Sequence, residues 1–255
     1  MGLHLTLLME QFYLNPKSLY AVLKAKGITS LYHCNTVLTS LTFIEQRALL
    51  SRAYVERHGL IQTPQNSDAE DVAYNVWDDV FMDGIDLHKK YNRLNKYGPV
   101  LFVMKLEVLV MPELCPVLVT RANPWYWKNF PKWEQRYYDN TEEIAEKYLT
   151  GKILDSSLMF TFRAPEKTIK LNKFLTEIVV DKPRININRE TGKVNVGIAV
   201  HDKLTETLKA NGLGNIPIRF RHEEEKFSFC TCHWRYPLLP VKDLPEFQKR
   251  FRGRL

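Results

Sequence analysis

Apolar positions along the chain repeat with two different periods, which predict a mixture of strands and helices. After a short strand that ends at Asn35, apolar residues recur at Val37, Leu41, Ile44 and Ala48, a spacing typical of one helix face. Uninterrupted runs of β-forming residues predict buried strands. The same patterns predict further helices over 19–26, 141–149 and 202–211 and strands over 100–104, 116–120, 174–180, 194–200 and 216–220. Residues 72–97 follow neither period and are predicted to be irregular.

Two of the predicted helices begin with residues that favour capping. Asn35 or Thr36 can cap the helix that follows the Asn35 strand by accepting a hydrogen bond from a free amide. Thr141 can cap the helix over 141–149, whose acidic first turn matches the helix dipole. The positive end of the helix that follows Asn35 points to the place where His33 leaves its strand. Such a position suits the binding of phosphate or ribose oxygens. A single histidine at a strand end is also a common structural residue, so both interpretations stay open.

Length and composition restrict the class of protein. With 255 residues, 45% of them hydrophobic, the chain can bury the core of one large domain or of one domain with a tail. No apolar run approaches the length of a membrane span, and residues 1–13 lack a basic start and a small-residue cleavage site. We therefore expect a cytoplasmic protein without membrane contact. The four cysteines are too few and too irregularly spaced for a disulfide scaffold.

The charge of the chain favours an acidic partner. A formal net charge of +7 and a pI near 9.1 indicate nucleic acid first and an acidic protein second. The segment over 125–138 interleaves aromatic rings with cations. Bases stack on such rings with about 1–3 kcal/mol each while cations hold phosphates, although packing at a domain edge explains the same residues. The candidate nucleic-acid contacts in this segment are Trp125, Trp127, Lys128 and Trp133.

Two clusters of possible metal ligands do not have the spacing of a metal site. The carboxylates around 79–86, with His88, lack the short repeat and sharp glycine turn of a hard-cation loop. The Cys230-Thr231-Cys232-His233 run supplies one ligand pair where a structural zinc site needs two. We therefore expect no metal.

A carboxylate interrupts one of the predicted buried strands. Glu177 lies within Thr176-Glu177-Ile178-Val179-Val180, and a charge in such a strand must either face water or have a function. This strand resembles the catalytic strand of the DarT-like ADP-ribosyltransferases, which modify nucleic acid using NAD. The order Tyr32-His33, capped helix, Leu49-Leu50-Ser51-Arg52 also resembles the opening of that family. The chain departs from the family pattern at Thr36, where the family repeats a histidine, and at Thr39, where it has an asparagine.

The resemblance implies a fold and a domain organisation. It runs with gaps over residues 31–229 and implies an α+β, ADP-ribosyltransferase-like split mixed sheet with flanking helices. NAD would lie between the strands that carry His33 and Glu177. Residues 1–30 are then an N-terminal leader of helices, and residues 230–255 are a basic C-terminal tail.

The resemblance also implies roles for individual residues. Glu177 would be the catalytic carboxylate, and an arginine near the NAD pocket would act with it; Arg57 is preferred over Arg52 and Arg93. The basic loop that leads into the Glu177 strand adds Arg163 and Lys167 to the nucleic-acid contacts. The candidate NAD-binding residues are Tyr32, His33 and Asn35.

The resemblance implies that the chain transfers ADP-ribose from NAD to a base of single-stranded DNA or RNA. Enzymes of this type are commonly toxins of toxin-antitoxin or phage-defence systems, so an antitoxin or chaperone protein is an expected partner. NAD is the expected cosubstrate. Two alternatives stay open: a non-catalytic protein that binds single-stranded nucleic acid, and an ADP-ribosyltransferase that acts on protein.

Overall fold

A computed structural model of the protein describes residues 9–90, 94–111, 117–151, 158–163, 168–189, 192–221 and 231–252. The strands are β1 (Ser30–Asn35), β2 (Ala48–Leu49), β3 (Asp79–Asp83), β4 (Val100–Lys105), β5 (Val117–Thr120), β6 (Met159–Arg163), β7 (Ile169–Lys170), β8 (Leu175–Val180), β9 (Asn186–Arg189), β10 (Gly192–Asn195) and β11 (Ile218–Phe220). The α-helices are α1 (Pro16–Ala25), α2 (Val37–Glu45), α3 (Arg52–Arg57), α4 (Asp68–Ala73), α5 (Leu87–Lys90), α6 (Trp133–Arg136), α7 (Thr141–Leu149), α8 (Leu171–Phe174), α9 (Val196–Ala210), α10 (Cys232–Arg235), α11 (Leu239–Lys242) and α12 (Leu244–Phe251). Short 3₁₀ helices span Leu106–Val110, Pro124–Asn129 and Tyr236–Leu238.

Within these ranges, seven strands form a central sheet in the order β11-β8-β4-β1-β3-β6-β5. β11 runs parallel to β8, and the other neighbouring strands run antiparallel. β2 with β7 and β9 with β10 form two small ladders beside it. The predicted α+β class, a mixed sheet with flanking helices, is confirmed. None of the helices in the described ranges combines the length and the apolar character needed to cross a membrane.

The two faces of the central sheet are buried differently. One face carries the main apolar core, in which strand residues such as Phe102, Phe160 and Ile178 pack with apolar side chains of α1, α2, α9 and α12. The opposite face, called here the site face, has two smaller clusters. The larger one, around Trp127 and Tyr137, lies over β3 and β5. The smaller one lies on β4 and β8.

The segments near both chain ends contribute to these cores. Met9 and Phe12 belong to the Trp127 cluster. Over 231–252, the segment predicted to be a basic tail, Cys232, Tyr236 and Phe251 are buried in the main core. This part of the chain therefore packs against the domain rather than extending from it, because its apolar residues recur on one face of short helices.

The structure corrects the prediction that residues 72–97 are irregular. β3 occupies 79–83 and pairs with β6 from Asp79 to Asp83. The two terminal aspartates hide the strand in the sequence because they surround only three apolar residues. Asp79 is nevertheless buried against Arg163, which a sequence pattern cannot reveal.

The predicted strand over 194–200 is wrong from Val196 onward, because only Val194 and Asn195 lie in a strand, β10. The cap of α7 lies one residue earlier than predicted. Asn195 accepts hydrogen bonds from the amides of Gly197 (2.9 Å) and Ile198 (3.4 Å), so α9 begins at Val196. This N-cap overrides the β-forming tendency of the residues that follow it. In α7, Asn140 rather than Thr141 is the N-cap.

Candidate active site

The central sheet opens between β1 and β3. These strands are paired through Tyr32 and Asp83 alone, whereas β1 is paired with β4 along its full length. Beyond Tyr32 the two strands separate, and a pocket lies in the gap, called here the His33 pocket. The gap lies on the opposite side of β1 from Glu177, because β4 fills the space between the His33 and Glu177 strands. The side chains that line it include His33, Asn35, Phe43, Arg52, Asp71, Phe81, Tyr97 and Asn123.

His33 bridges the gap with its side chain. Its Nδ1 lies 2.7 Å from the carbonyl oxygen of Phe81 in β3. A carbonyl only accepts hydrogen bonds, so Nδ1 carries the proton and Nε2 is an acceptor in the neutral ring. Burial lowers the pKa of His33 against the effect of the Phe81 carbonyl, and the Arg52 charge lowers it further. A neutral His33 of fixed orientation can therefore accept a hydrogen bond from a ligand hydroxyl.

Helix α2 begins directly after this strand, as the sequence predicts. Thr36 is the N-cap of α2 and accepts a hydrogen bond from the Thr39 amide. Asn35 accepts one from the Thr36 amide at 2.8 Å and places its side-chain nitrogen 3.4 Å from His33 Nε2. Gly98 passes so close that a Cβ there would lie 2.2 Å from the Asn35 carbonyl oxygen. The end of β1 is therefore fixed by the start of α2, by the Asn35 side chain and by the close backbone of Gly98.

Of the arginine candidates, Arg52 lies in the His33 pocket. Its guanidinium donates to Gln62 Oε1 (3.0 Å) and to the Thr63 carbonyl (2.9 Å), and it pairs with Asp68. Arg57, the preferred candidate, lies outside the pocket lining and pairs with Asp78 at 2.7 Å on an exposed surface. α3 turns the two side chains apart, since positions five residues apart do not share a helix face. Arg93 lies outside the described residues.

Glu177 lies on the site face, two strands from His33, and lines a second pocket, called here the Glu177 pocket. A β-bulge displaces β8 here, because the register with β4 shifts between Glu177 and Leu175. Bulges commonly re-aim a side chain near an active site. The extra residue, Thr176, is fixed by its hydroxyl, which donates to the Val103 carbonyl at 2.8 Å.

Tyr32 connects the two pockets. It lines both of them, and it lies in one cross-strand row with Val103 of β4 and Glu177 of β8. Burial raises the pKa of Tyr32, and the carboxylates of Asp86 and Glu177 add to this. Tyr32 is therefore a side chain that the two pockets have in common.

Arg219 lines the Glu177 pocket, a position that the sequence did not indicate. Its Nε lies 2.9 Å from Glu177 Oε2 and its second nitrogen 3.2 Å from Oε1, so the fork holds both carboxylate oxygens. Both side chains keep about a quarter of their surface exposed, 27% for Arg219 and 28% for Glu177. The signal in the sequence was a cation inside a short apolar strand, the same signal that identified Glu177.

The predicted nucleic-acid contacts divide into exposed and buried groups. Trp125 is 43% exposed and Lys128 is exposed. Trp127 is fully buried and donates its ring N–H to the Ala122 carbonyl at 2.8 Å, so it cannot stack on a base. Trp133 is half-buried. We call residues 123–138 the aromatic cover, because they pack over the site face beside β3 and β5.

Of the two residues from the basic loop, Arg163 is described and Lys167 lies outside the described residues. Arg163 does not extend toward solvent to meet phosphate. Its Nε donates to Asp79 at 3.0 Å and its terminal nitrogen contacts the Asn75 carbonyl. Arg163 was predicted to be a surface cation, but it is part of a buried ion pair. The sequence does not reveal this pair, because the partner Asp79 is 84 residues away in the chain.

The fold and its pockets define the chain as an α+β protein with a mixed sheet that opens beside a histidine-bearing strand. It is similar to the solved structure of Thermus sp. 2.9 DarT in complex with carba-NAD+, with 13% identity over 76% of this chain and 95% of that chain and a TM-score of 0.44. It is also similar to Thermosipho africanus DarTG in complex with ADP-ribose, with 15% identity over 75% of this chain and a TM-score of 0.44. The chain spans 49% of that second protein's length. No protein-family model matches the sequence, and the comparison with curated proteins gives no match.

Proposed function

We propose that this chain is an NAD-dependent ADP-ribosyltransferase that modifies a base of single-stranded nucleic acid. The observation that carries the proposal is the pair of pockets that share Tyr32, one containing His33 and the other Glu177. The sequence resemblance assigns ribose binding to His33 and catalysis to Glu177. The shared Tyr32 supports this assignment, because a dinucleotide that occupies both pockets would contact both residues.

The proposed chemistry uses Glu177 as the group that stabilises positive charge. The bond between nicotinamide and C1′ of its ribose breaks, and its electron pair leaves with nicotinamide. The ribose then resembles an oxocarbenium ion, the same charge problem that glycosidases face. A carboxylate that binds the ribose 2′-hydroxyl stabilises this charge. The acceptor base forms the new bond to C1′, and the carboxylate accepts the proton that the base loses.

Arg219 gives Glu177 a partner before substrate binds. The bidentate pair keeps the carboxylate oriented, because a charge-assisted fork fixes both oxygens. A guanidinium also suits pyrophosphate oxygens. We propose that Arg219 turns toward the pyrophosphate when NAD enters, which exposes Glu177 to the ribose.

The choice of nucleic acid as acceptor rests on charge and on the aromatic cover. The net charge of +7 attracts polyanions, and exposed Trp125 with Lys128 offers a stacking surface beside a cation. A base must leave its stack to be modified, which favours single strands. By the same sequence resemblance, we propose that the chain acts as a toxin held in check by an antitoxin or chaperone protein.

The test is transfer of label from NAD that is radioactive in its ADP-ribose part. Wild-type protein is incubated separately with single-stranded DNA, RNA and a protein extract, beside Glu177→Gln and the control Glu143→Gln. Glu143 lies on α7 and also forms a bidentate pair, in which Arg121 donates to both carboxylate oxygens with a shortest distance of 2.6 Å. It lines neither pocket. We expect Glu177→Gln to lower transfer about 10²- to 10³-fold, as loss of a transition-state contact does. Glu143→Gln should stay within about twofold of wild type.

The outcomes separate the alternatives. Label on one nucleic acid supports the proposal and identifies the acceptor, and label on polypeptide alone overturns the choice of acceptor while keeping the enzyme class. Transfer by Glu177→Gln at the wild-type rate would overturn the role of Glu177. A folded protein that binds nucleic acid without consuming NAD would be the non-catalytic binding protein.

A second experiment distinguishes the two arginines. We expect Arg52→Ala to reduce turnover about 10- to 100-fold, because Arg52 lines the His33 pocket. Arg57→Ala is the matched control from the same helix and should change turnover less than about twofold. Circular dichroism checks that both variants fold. The reverse order of effects would return the catalytic role to Arg57.

A further inference from the structure

A buried cluster lies where the end of β8 meets α5 and α10. His88, Asp181 and Cys232 come from three distant parts of the chain and are 4%, 0% and 0% exposed. One ligand-type atom from each residue, a ring nitrogen of His88, a carboxylate oxygen of Asp181 and the sulfur of Cys232, lies within 4.8 Å of the other two. Imidazole nitrogen, carboxylate oxygen and thiolate sulfur are the three ligand types of zinc in proteins.

One atom of this cluster lacks a hydrogen-bond partner among the described residues. Asp181 Oδ1 accepts from Arg221 Nε at 2.7 Å, but Oδ2 is fully buried and has no donor in the described part of the chain. It lies 3.7 Å from His88 Nδ1, too far for a hydrogen bond. A buried carboxylate oxygen is costly to leave unsatisfied. A metal ion bound to Oδ2 would remove that cost.

The two distances from His88 Nδ1 fit a tetrahedral ion. Zinc bonds of about 2.0 Å to nitrogen or oxygen and about 2.3 Å to sulfur put neighbouring ligand atoms about 3.3–3.7 Å apart. In the cluster, Cys232 Sγ lies 3.6 Å from His88 Nδ1, and His88 Nδ1 lies 3.7 Å from Asp181 Oδ2. Two of the three ligand pairs therefore already lie at about the spacing that one zinc ion requires, and the third pair lies within 4.8 Å.

The surroundings of the cluster also suit a cation. Asp86 and Asp181 are both buried and share one cation, Arg221, so two negative charges face one positive charge. The Asn95 backbone amide donates to Cys232 Sγ at 3.3 Å, which stabilises a thiolate. The Asn95 side chain contacts His88 Nε2, so the other ring nitrogen, Nδ1, faces the cluster. Such outer contacts orient metal ligands.

We propose that His88, Asp181 and Cys232 bind a zinc ion, which joins the C-terminal helices to the end of β8. The proposal departs from the sequence expectation of no metal, because the ligands come from three segments and share no motif. It uses one residue of the Cys230-Thr231-Cys232-His233 run. His233 instead lies 3.0 Å from the Lys182 carbonyl and accepts from Arg184.

The experiment measures metal on the intact protein. Wild-type protein is purified with zinc in the buffers, dialysed, and analysed by mass spectrometry of its metal content. We expect about one zinc per chain, and a fall in melting temperature when a chelator removes it. Replacement by Co²⁺ should give the near-ultraviolet charge-transfer band of a cobalt–thiolate bond and the strong visible bands of a tetrahedral site.

Variants assign the ligands. Cys232→Ser should lose the charge-transfer band, and His88→Gln should lose stoichiometric zinc. His233→Ala is the matched control, because it removes a neighbouring histidine outside the cluster, and it should keep both signals. Wild-type protein that holds no zinc and gives no cobalt–thiolate band would overturn the proposal, whether or not any variant folds. Equal metal loss in His233→Ala would overturn this ligand set. None of these readouts depends on ADP-ribose transfer.

Discussion

Two arginine–carboxylate pairs lie on the same face of the sheet, one in each half. Arg163 holds Asp79 across β6 and β3, and Arg219 holds Glu177 across β11 and β8, with shortest distances of 3.0 and 2.9 Å. Their exposure differs: the Asp79 side chain is 0% exposed and the Glu177 side chain is 28% exposed. The same chemical pair is thus sealed in one half of the molecule and open in the other.

The difference comes from what lies above each pair. The aromatic cover and residues 9–13 pack beside β3 and β5 around Trp127, while the Glu177 pair borders a pocket. A buried pair holds strands in register and is costly to break. An open pair contributes little to stability and is free to exchange partners with a ligand. Burial, rather than residue type, separates a sealed pair from one that a ligand can reach here.

The largest expected effect is on stability. Arg163→Ala leaves the Asp79 carboxylate buried without its partner, which should lower the free energy of unfolding by about 3–5 kcal/mol. Arg219→Ala should lower it by no more than about 1 kcal/mol, since both side chains of that pair are partly exposed. Denaturant unfolding at neutral pH measures both. Equal losses would show that the two pairs do not differ in the way their exposure indicates.

A third carboxylate, Asp71, tests the effect of burial through the pH dependence of stability. Asp71 lines the His33 pocket and accepts from the Ser67 hydroxyl at 3.1 Å, and burial raises its pKa to about 6. Because this pKa is raised, the contribution of Asp71 to the free energy of unfolding is fully present at low pH. It is lost as pH rises from the unfolded pKa near 4 through about 6. Asp71→Asn removes this loss, so we expect it to be roughly 2 kcal/mol more stable than wild type at pH 7.

The control for Asp71→Asn is the same pair of proteins at low pH. Near pH 4 the carboxyl is protonated in the folded protein, so the stability difference between variant and wild type should shrink toward zero. Urea unfolding at several pH values follows it. A difference that does not change with pH would assign the effect to packing rather than to ionisation.

The smallest expected effect tests whether the aromatic cover also binds nucleic acid. Trp125→Ala should weaken binding of a single-stranded oligonucleotide about fivefold, or about 1 kcal/mol, the lower end of base stacking. Trp234→Ala removes a more exposed ring, 59% against 43%, outside the cover and should leave the affinity unchanged. Fluorescence anisotropy at fixed salt measures both. A loss confined to Trp234→Ala would move the nucleic-acid surface to the C-terminal helices.

The parts of the fold that could be predicted are those set by neighbouring residues. The β1–α2 step follows from an apolar period and a threonine cap, and β8 from a run of β-formers. Glu177 was chosen as a candidate because a charge in such a run is conspicuous. These signals lie within about ten residues, where local geometry dominates.

The parts that could not be predicted depend on pairing between distant segments. Arg219 acquires its meaning from Glu177, 42 residues earlier, and Arg163 from Asp79, 84 residues earlier. Trp125 and Trp127 are two positions apart and equally apolar, but a 3₁₀ helix buries one ring and exposes the other. Only the folded chain decides which residues of a type are available to a ligand.

The single backbone pair between β1 and β3 makes the sheet two mechanical units with one joint. Apart from that pair, the His33–Phe81 hydrogen bond spans the same gap. A ligand that fills the gap adds contacts to both units, and by linkage its binding free energy becomes resistance to their separation. Amide hydrogen exchange on both sides of the joint should then slow together at saturating ligand, so occupancy of the pocket can be read from the rigidity of the whole sheet.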